Sequence, residues 1–143
     1  MRRRDLAHAA WLALLGMAPA TAWARSGKPT KHGAARRGIA VWYGEDRQGQ
    51  TMANGRPFDA SARTGASVHF PLGTRVRVTD LETRKSVTVT ITDTTVPGSR
   101  VLIDLSRGAG RALGIETRGK ARVEVVPIGF DRTQAKRRGE AGR

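Results

Sequence analysis

Two short runs of alternating residues, joined by a polar connection, constrain the fold of this chain most strongly. Residues 74–79 (TRVRVT) alternate valine with arginine, and residues 86–93 (SVTVTITD) alternate valine and isoleucine with threonine. Successive side chains of a β-strand point to opposite faces of a sheet, so each run has one apolar and one polar face. The connection at residues 80–85 therefore predicts a β-hairpin whose β-branched side chains face a core.

The rest of the central region also carries strand signals. Short apolar or alternating runs occupy residues 38–43, 67–70, 100–105 and 120–126, and Pro127 ends the last of them. Many short strands in one small domain predict a mainly β fold, and we expect a small closed barrel of six strands. Closure removes exposed strand edges, which would otherwise pair with other chains.

One or two short helices are expected beside the barrel. Ser106 is a good N-cap, and residues 107–113 predict a two-turn helix that Gly114 ends. An N-cap serine accepts a hydrogen bond from a free backbone N–H group, and glycine adopts the left-handed conformation of a helix end without steric cost.

The N-terminal residues have the features of a secretory signal peptide. A basic N-terminus (MRRRD) precedes an apolar run at residues 9–20. An A-x-A cleavage motif (AWA) follows at residues 22–24. The apolar run is shorter than a bilayer-spanning helix requires. We therefore predict a signal peptide at residues 1–24 and an exported protein, periplasmic or secreted. The chain has no cysteine, so we expect no disulfide, no lipoprotein modification and no stable membrane anchor.

Basic residues outside the barrel account for more than half of the net charge of +14. Residues 25–37 and 128–143 lack apolar periodicity and are expected to form a disordered basic linker and tail, which leaves residues 38–127 for the barrel. Such charge suits nucleic acid, but an exported chain rarely meets it, so we expect no nucleic-acid partner. Acidic polymers of the cell envelope are the alternative partners, and a solubilising role is a further alternative.

The sequence carries no motif for a metal or a cofactor. His8 and His32 lie in the predicted signal peptide and linker, far from His69, so the histidines offer no metal cluster. We expect no cofactor, and we expect a monomer.

Seven short motifs follow one another in the central region. They are AVWYG at 40–44, MANG at 52–55, FD at 58–59, FPLGTRVRVTDL at 70–81, SVTV at 86–89 with the aspartate at 93, RVLIDLS at 100–106 and ALG at 112–114. In this order they resemble the rare lipoprotein A (RlpA) family of bacterial double-psi β-barrels that act on peptidoglycan. The resemblance covers essentially all of residues 38–126, and it implies a six-stranded double-psi β-barrel.

The resemblance also implies an activity. Family members that cut glycan are lytic transglycosylases: they break the bond after N-acetylmuramic acid without water, while the 6-hydroxyl of the sugar closes a 1,6-anhydro ring. The family pattern places a glutamate, a histidine and an aspartate at the positions of Arg56, Ser67 and Asp93. Only Asp93 matches, so the resemblance implies a depleted active site with Asp93 as its acid/base.

One carboxylate is sufficient for this reaction in principle. Ordinary glycosidases use two, but here the substrate supplies its own nucleophile, so one group can protonate the leaving oxygen and then accept the hydroxyl proton. Loss of a second group typically costs about 10²–10⁴ in rate. Arg56 is unsuited to assist a proton donor, because a nearby cation favours the ionised acid. We therefore expect Arg56 to bind a substrate carboxylate, such as the lactyl group or a stem peptide.

Tyr43, Ser67 and His69 complete the expected substrate contacts. Tyr43 is expected either to line the glycan cleft or to pack on its strand. Ser67 and His69 are two residues apart and are expected on one strand face. There His69 either substitutes for the missing histidine or is a half-exposed residue of the barrel wall.

Three further residues have expected structural roles. We place Trp42 in the core, and we expect Asp59 either to cap a turn or to be an acidic residue of the cleft. Asp104 is expected to bind backbone amides near the start of the predicted helix.

Two functions follow from this pattern. The first is an endolytic peptidoglycan lytic transglycosylase with a depleted active site. The second is a non-catalytic peptidoglycan-binding module, favoured by Arg56, Ser67 and the basic tails. Glycan strands of peptidoglycan are the expected partner in both cases.

Overall fold

The computed structural model describes residues 30–136, in which six strands close into a barrel. The strands are β1 (Arg36–Tyr43), β2 (Thr64–Ala66), β3 (Thr74–Asp80), β4 (Ser86–Asp93), β5 (Val101–Ser106) and β6 (Lys120–Phe130). Their order around the barrel is β1-β5-β2-β4-β3-β6. Helix α1 (Arg107–Leu113) follows β5, and a 3₁₀ turn (Glu45–Arg47) follows β1. The prediction of a mainly β, six-stranded barrel with short helices is confirmed.

The barrel mixes parallel and antiparallel pairs. β1 runs parallel to β5, and β2 runs parallel to β4, while the other neighbours are antiparallel. β3 and β4 form the predicted hairpin, in which Val76 pairs with Val89 and Val78 with Val87. Because every strand has two neighbours, the barrel leaves no strand edge on which another chain could pair.

Aliphatic side chains fill the interior. The alternating β-branched residues of β3 and β4 face inward as predicted, and Leu113 and Ile115 close one end from α1 and the turn after it. Burial of each large aliphatic side chain contributes about 1.5–3 kcal/mol. The largest fully buried apolar residues are Val76, Val78, Val89, Ile91, Ile103, Leu105, Leu113, Ile115, Val123 and Val125.

Both predicted caps of α1 are present. The Ser106 hydroxyl accepts a hydrogen bond from the Ala109 N–H at 3.2 Å, and Gly114 ends the helix in the left-handed conformation with φ 81°. The helix therefore begins and ends where local sequence predicts, and the Ala60 and Ala62 carbonyls, which are distant in sequence, also accept hydrogen bonds at its start.

We expect Gly108→Ala to destabilise the barrel. A Cβ at residue 108 would lie 2.3 Å from the backbone oxygen of Ser61, and the Gly108 N–H donates to the Ala60 carbonyl at 2.8 Å. The backbone must shift, at a cost of about 1–3 kcal/mol that exceeds the helix propensity gained with alanine. Urea denaturation measures this, with Gly44→Ala as the control because its Cβ would meet only the Asp46 side chain at 3.3 Å. Equal midpoints for the two variants would argue against this close contact.

The prediction of a strand at residues 67–70 is wrong. The Ser67 hydroxyl donates to the Leu102 carbonyl at 2.8 Å and accepts from the His69 N–H at 3.1 Å. A serine that binds local backbone in this way bends the chain instead of extending it. Val68 is consequently 46% exposed, whereas Phe70 is buried.

The last strand runs past the proline that was expected to end it. β6 continues through Pro127 to Phe130. Val76 pairs with Pro127 while the preceding Arg75 pairs with Gly129, so the register shifts at this point. A bulge tolerates proline because the residue there need not donate to the ladder.

The inner ends of the two basic segments, which were expected to form a disordered linker and tail, contact the barrel and its connections. Thr30 and Gly33 form a bridge, and the Thr30 hydroxyl donates to the Pro127 carbonyl at 2.7 Å. At the other end, the Asn54 side chain donates to the Gln134 carbonyl at 3.2 Å. These contacts fasten both segments to the barrel.

The predicted signal peptide at residues 1–24, the start of the linker at 25–29 and the end of the tail at 137–143 lie outside the described residues. Between residues 30 and 136, no helix is long and apolar enough to cross a bilayer. α1 has 7 residues, whereas a spanning helix needs about 20.

A second, smaller apolar cluster lies in the connection between β1 and β2. Met52, Phe58 and Ala60 are its buried members, and Tyr43 packs against them. Trp42 packs against the main core as predicted, so the alternation of β1 points Tyr43 to the outside of the barrel. The connection therefore covers the outer surface beside the end of β1.

Candidate functional site

Two aspartates flank the short strand β2 on its two sides. Ala66 is the register partner of Asp93 in β4 and also of Asp104 in β5. Neighbouring strands are about 4.8 Å apart, so the two aspartate Cα atoms lie about 10 Å from each other. Only the first of these carboxyl groups was predicted as a site residue.

Asp93 is half-buried and rigidly held at the end of β4. Its Oδ1 atom accepts hydrogen bonds from the Ala53 N–H at 3.0 Å and the Thr94 N–H at 2.9 Å. Its backbone carbonyl accepts from the Ser67 N–H at 3.1 Å. Asp93 thus joins the turn that contains Ala53 to the barrel, and its side chain is not sealed in the core.

Asp104 is partly buried on β5. Its Oδ1 atom is buried and has no hydrogen-bond partner within the described part of the chain. Burial raises the pKa of Asp104 to about 6; the Arg47 guanidinium opposes this rise, and the charge of Asp93 adds to it. The structural role expected for Asp104 is wrong, because Ser106 accepts the Ala109 N–H at the start of α1. A carboxyl group with such a pKa is a candidate proton donor.

Tyr43 lies beside the carboxylate pair. Its hydroxyl and the nearby hydroxyl of Thr64 are both buried, and neither has a hydrogen-bond partner of acceptable geometry among residues 30–136. Burial raises the pKa of Tyr43, and the charges of Asp104 and Asp93 raise it further. The Arg47 guanidinium lies over the ring, 5.6 Å from its centroid. Tyr43 therefore keeps its proton and can donate a hydrogen bond.

Three buried polar atoms without hydrogen-bond partners among residues 30–136 lie near one another: the Tyr43 hydroxyl, the Thr64 hydroxyl and the Asp104 Oδ1 atom. Tyr43 pairs with Ser106 in the register of β1 and β5, and the Thr64 N–H donates to the Ser106 hydroxyl at 3.3 Å. Asp104 is two residues away on the same strand face as Ser106. Buried polar atoms in folded proteins are usually paired with protein groups, ordered water or a ligand. The arrangement suits a ligand rich in hydroxyl groups.

The other predicted site residues lie in different surroundings. Ser67 is fully buried, and its hydroxyl is used by the backbone, so it has no surface to offer a substrate. His69 is exposed two residues further on, in a bend and not on a strand face. Arg56 is half-buried in the turn that donates a hydrogen bond to Asp93. Its backbone N–H donates to the Asn54 side-chain oxygen at 3.0 Å.

The turn-cap role predicted for Asp59 is confirmed. Its Oδ1 atom accepts from the Ser61 N–H at 2.9 Å and from the Ser61 hydroxyl at 2.7 Å. Among the described residues, no group of three His, Asp or Glu side chains is arranged to hold a metal ion.

Sequence reasoning missed Asp104, Thr64 and Arg47 as members of the site. One signal was available for Asp104. Ile103 and Leu105 are apolar and point inward, so the alternation of β5 places the residue between them on the outer face. Arg47 follows Tyr43 by four residues, so its proximity is local, whereas nothing local to Thr64 indicates that the chain brings it beside Tyr43.

A closed barrel of six parallel and antiparallel strands in this order is a double-psi β-barrel. The family model described as lytic transglycolase matches residues 35–125. The chain belongs to this lytic transglycolase family, and the resemblance stated from the sequence motifs is confirmed.

Relatives with known names agree with this placement. The probable endolytic peptidoglycan transglycosylase RlpA of Synechocystis sp. is 48% identical over 89 residues, which cover 62% of this chain and 27% of the relative. The endolytic peptidoglycan transglycosylase RlpA of Pseudomonas aeruginosa is 43% identical over 91 residues, which cover 64% of this chain and 27% of the relative. The chain thus spans about a quarter of the length of these relatives. An expansin of Clavibacter michiganensis is 27% identical with a TM-score of 0.53, over 67% of this chain and 51% of that one.

Proposed function

We propose that this barrel is an endolytic peptidoglycan lytic transglycosylase that cleaves glycan after N-acetylmuramic acid and forms a 1,6-anhydro ring. Its family and the names of its relatives support peptidoglycan as the substrate class. The observation that carries the proposal is the pair of Asp93 and Asp104 across β2, with the pKa of Asp104 raised to about 6.

In the proposed reaction Asp104 is the general acid and Asp93 is the general base, whereas the sequence analysis gave both roles to Asp93. The carboxyl proton of Asp104 passes to the glycosidic oxygen as the bond from that oxygen to C1 breaks. The 6-hydroxyl oxygen of the same sugar bonds to C1, and its proton passes to the carboxylate of Asp93. No water is consumed, and exchange with solvent restores both groups. Carboxyl groups in different environments commonly take separate acid and base roles.

Tyr43 and Thr64 are the proposed hydrogen-bonding contacts for the sugar. Their buried hydroxyls have no partner within the described residues, and sugar hydroxyls can both donate to them and accept from them. The raised pKa of Tyr43 keeps its proton available for donation at neutral pH.

Mass spectrometry of digested glycan tests the proposal. The purified protein is expected to release fragments with 1,6-anhydro-muramyl ends, which are lighter by one water than hydrolysis products. Asp93→Asn is expected to reduce the rate by about 10²–10⁴, because it removes the proton acceptor. Reducing ends in place of anhydro ends, or no products at any pH, would rule out this function.

A non-catalytic peptidoglycan-binding module is the second candidate. It is favoured by Arg56 and Ser67, which occupy the positions where the family resemblance implies a glutamate and a histidine. This alternative predicts that the protein sediments with cell-wall material in a salt-dependent way and releases no fragments.

The proposed function also requires export, because peptidoglycan lies outside the cytoplasmic membrane. We propose a periplasmic or secreted monomer from which residues 1–24 have been removed. The mass of the protein recovered from cells tests the removal of this segment.

A further inference from the structure

A groove of about 370 Å³ offers two guanidinium groups to a ligand. Arg56, which is half-buried, and Arg63, which is exposed, both line it. Neither guanidinium donates a hydrogen bond to another side chain within residues 30–136. Arg56 lies close enough to Asp131 for its positive charge to act on that carboxyl group, and the N–H groups of both guanidinium groups can still donate hydrogen bonds to an anion.

The acidic residues of the groove are already engaged by their own turns. Asp59 accepts the Ser61 hydroxyl at 2.7 Å, and Asp131 accepts the Thr133 hydroxyl at 2.7 Å. These hydrogen bonds lower the pKa of both carboxyl groups, and the charge of Arg56 adds to this effect at Asp131, so both are negatively charged at neutral pH. Two arginines and two aspartates leave the groove close to neutral, so it does not attract long polyanions in general. It favours one compact anion that accepts hydrogen bonds from the two guanidinium groups lining the groove.

The groove adjoins the carboxylate pair. Thr64, which is close to Tyr43, lines one part of it, and Thr92, which directly precedes Asp93, lines another. The backbone carbonyl of Arg56 accepts the Met52 N–H at 2.8 Å within the turn that Asp93 holds. A ligand whose sugar ring contacts the aspartates can therefore extend a substituent towards Arg56.

We propose that this groove binds the carboxylate carried by the glycan, either the lactyl carboxylate of muramic acid or a carboxylate of a peptide attached to it. The inference rests on the proposed function, and it makes Arg56 and Arg63 determinants of substrate specificity. A guanidinium group matches a carboxylate with two parallel hydrogen bonds. A glycan of N-acetylglucosamine alone lacks this group and gains nothing from the groove.

Calorimetric titration with short, uncleavable sugars tests the proposal. The probes are the disaccharide of N-acetylglucosamine and N-acetylmuramic acid, the same disaccharide with its lactyl group as a neutral amide, and the same disaccharide carrying an alanyl-glutamate peptide. We expect the free acid, the peptide conjugate or both to bind at least about tenfold more tightly than the amide. Added salt is expected to narrow this difference.

Variants identify the groups responsible. Arg56→Gln and Arg63→Gln are each expected to reduce the preference for the acid, and the double variant is expected to abolish it. Arg77→Gln is the matched control, because Arg77 is exposed on β3 and does not line the groove. It is expected to keep the full preference.

The outcomes separate the source of the carboxylate and the two proposals. Tight binding of the free acid alone identifies the lactyl group, and tight binding of the conjugate alone identifies the peptide. Equal affinities for all three probes, or an equal loss in Arg77→Gln, would overturn the inference. If the protein prefers the carboxylate probes over the amide but forms no anhydro products, this inference stands and the proposed function is excluded. If it forms anhydro products without that preference, the proposed function stands and this inference is excluded.

Discussion

Asp104→Asn is expected to abolish turnover and to stabilise the barrel at neutral pH. Burial raises the pKa of Asp104 to about 6 in the folded protein, against about 3.9 in an unfolded chain. Because the folded state holds this proton more tightly, stability falls as pH rises from about 4 to 6. Asparagine does not ionise, so the variant regains about 1–2 kcal/mol at pH 7 once the shift is discounted for partial exposure.

The loss of turnover has the same physical origin. Asparagine cannot donate the proton that the leaving oxygen needs, and loss of a general acid costs about 10²–10⁴ in rate. For the unmodified protein, kcat/KM is expected to fall above about pH 6 as Asp104 ionises. The falling limb should move to lower pH in Asp93→Asn, because the charge of Asp93 contributes to the raised pKa of Asp104.

Urea denaturation at two pH values checks the stability half of this prediction. The gain from Asp104→Asn should be present at about pH 7, above both pKa values, and largely absent at about pH 4, close to the unfolded-state pKa. A variant that is equally stabilised at both pH values, or one that retains full activity, would mean that Asp104 is not the proton donor.

Asp80→Asn is expected to destabilise the fold by about 3 kcal/mol. The Asp80 side chain is 0% exposed and forms a salt bridge with Arg118. Its Oδ1 atom accepts from the Glu82 N–H at 2.9 Å and the Thr83 N–H at 3.3 Å. The carboxylate therefore holds the turn between β3 and β4 and joins it to the loop before β6. Removing its charge leaves a guanidinium group without its buried partner.

The pH dependence of stability distinguishes this carboxyl group from Asp104. Burial acts to raise the pKa of Asp80, but the Arg118 hydrogen bond and the backbone N–H groups outweigh it and lower the pKa. The stabilisation is therefore present above about pH 4 and is lost as pH falls through the folded-state pKa. Urea denaturation should show a smaller acid-induced loss of stability in Asp80→Asn than in the unmodified protein.

Glu82→Gln is the matched control for Asp80→Asn. Glu82 contacts the same guanidinium at 3.2 Å, but its side chain is 81% exposed, and exposed ion pairs contribute little. A loss in Glu82→Gln as large as that in Asp80→Asn would show that burial does not set the strength of this contact.

Local pattern predicted those elements of the fold that local physics determines. The alternation of β3 and β4 predicts their hairpin, and Ser106 and Gly114 predict the ends of α1. β2 could not be placed in this way, because it has 3 residues. Its pairing depends on strands that are distant in sequence. The bend at Ser67 depends on the Leu102 carbonyl, which is 35 residues away.

The site likewise combines a residue that local sequence predicts with residues that only the folded chain brings together. Asp93 could be selected because a motif marks it. The pKa of Asp104 depends on burial and on Arg47 and Asp93, which only the folded chain brings together. Arg63 likewise becomes a neighbour of Arg56 only through the groove they both line.

The pH profile of anhydro-muramyl product formation tests the central claim most directly, with the unmodified protein and Asp104→Asn compared on the same glycan. The account predicts anhydro products from the unmodified protein, with a rate that declines above about pH 6. It also predicts a rate at least about 100-fold lower for a folded Asp104→Asn at and below about pH 6, and a smaller difference at higher pH, where Asp104 of the unmodified protein is itself ionised. Anhydro products formed at equal rates by the two proteins would contradict it.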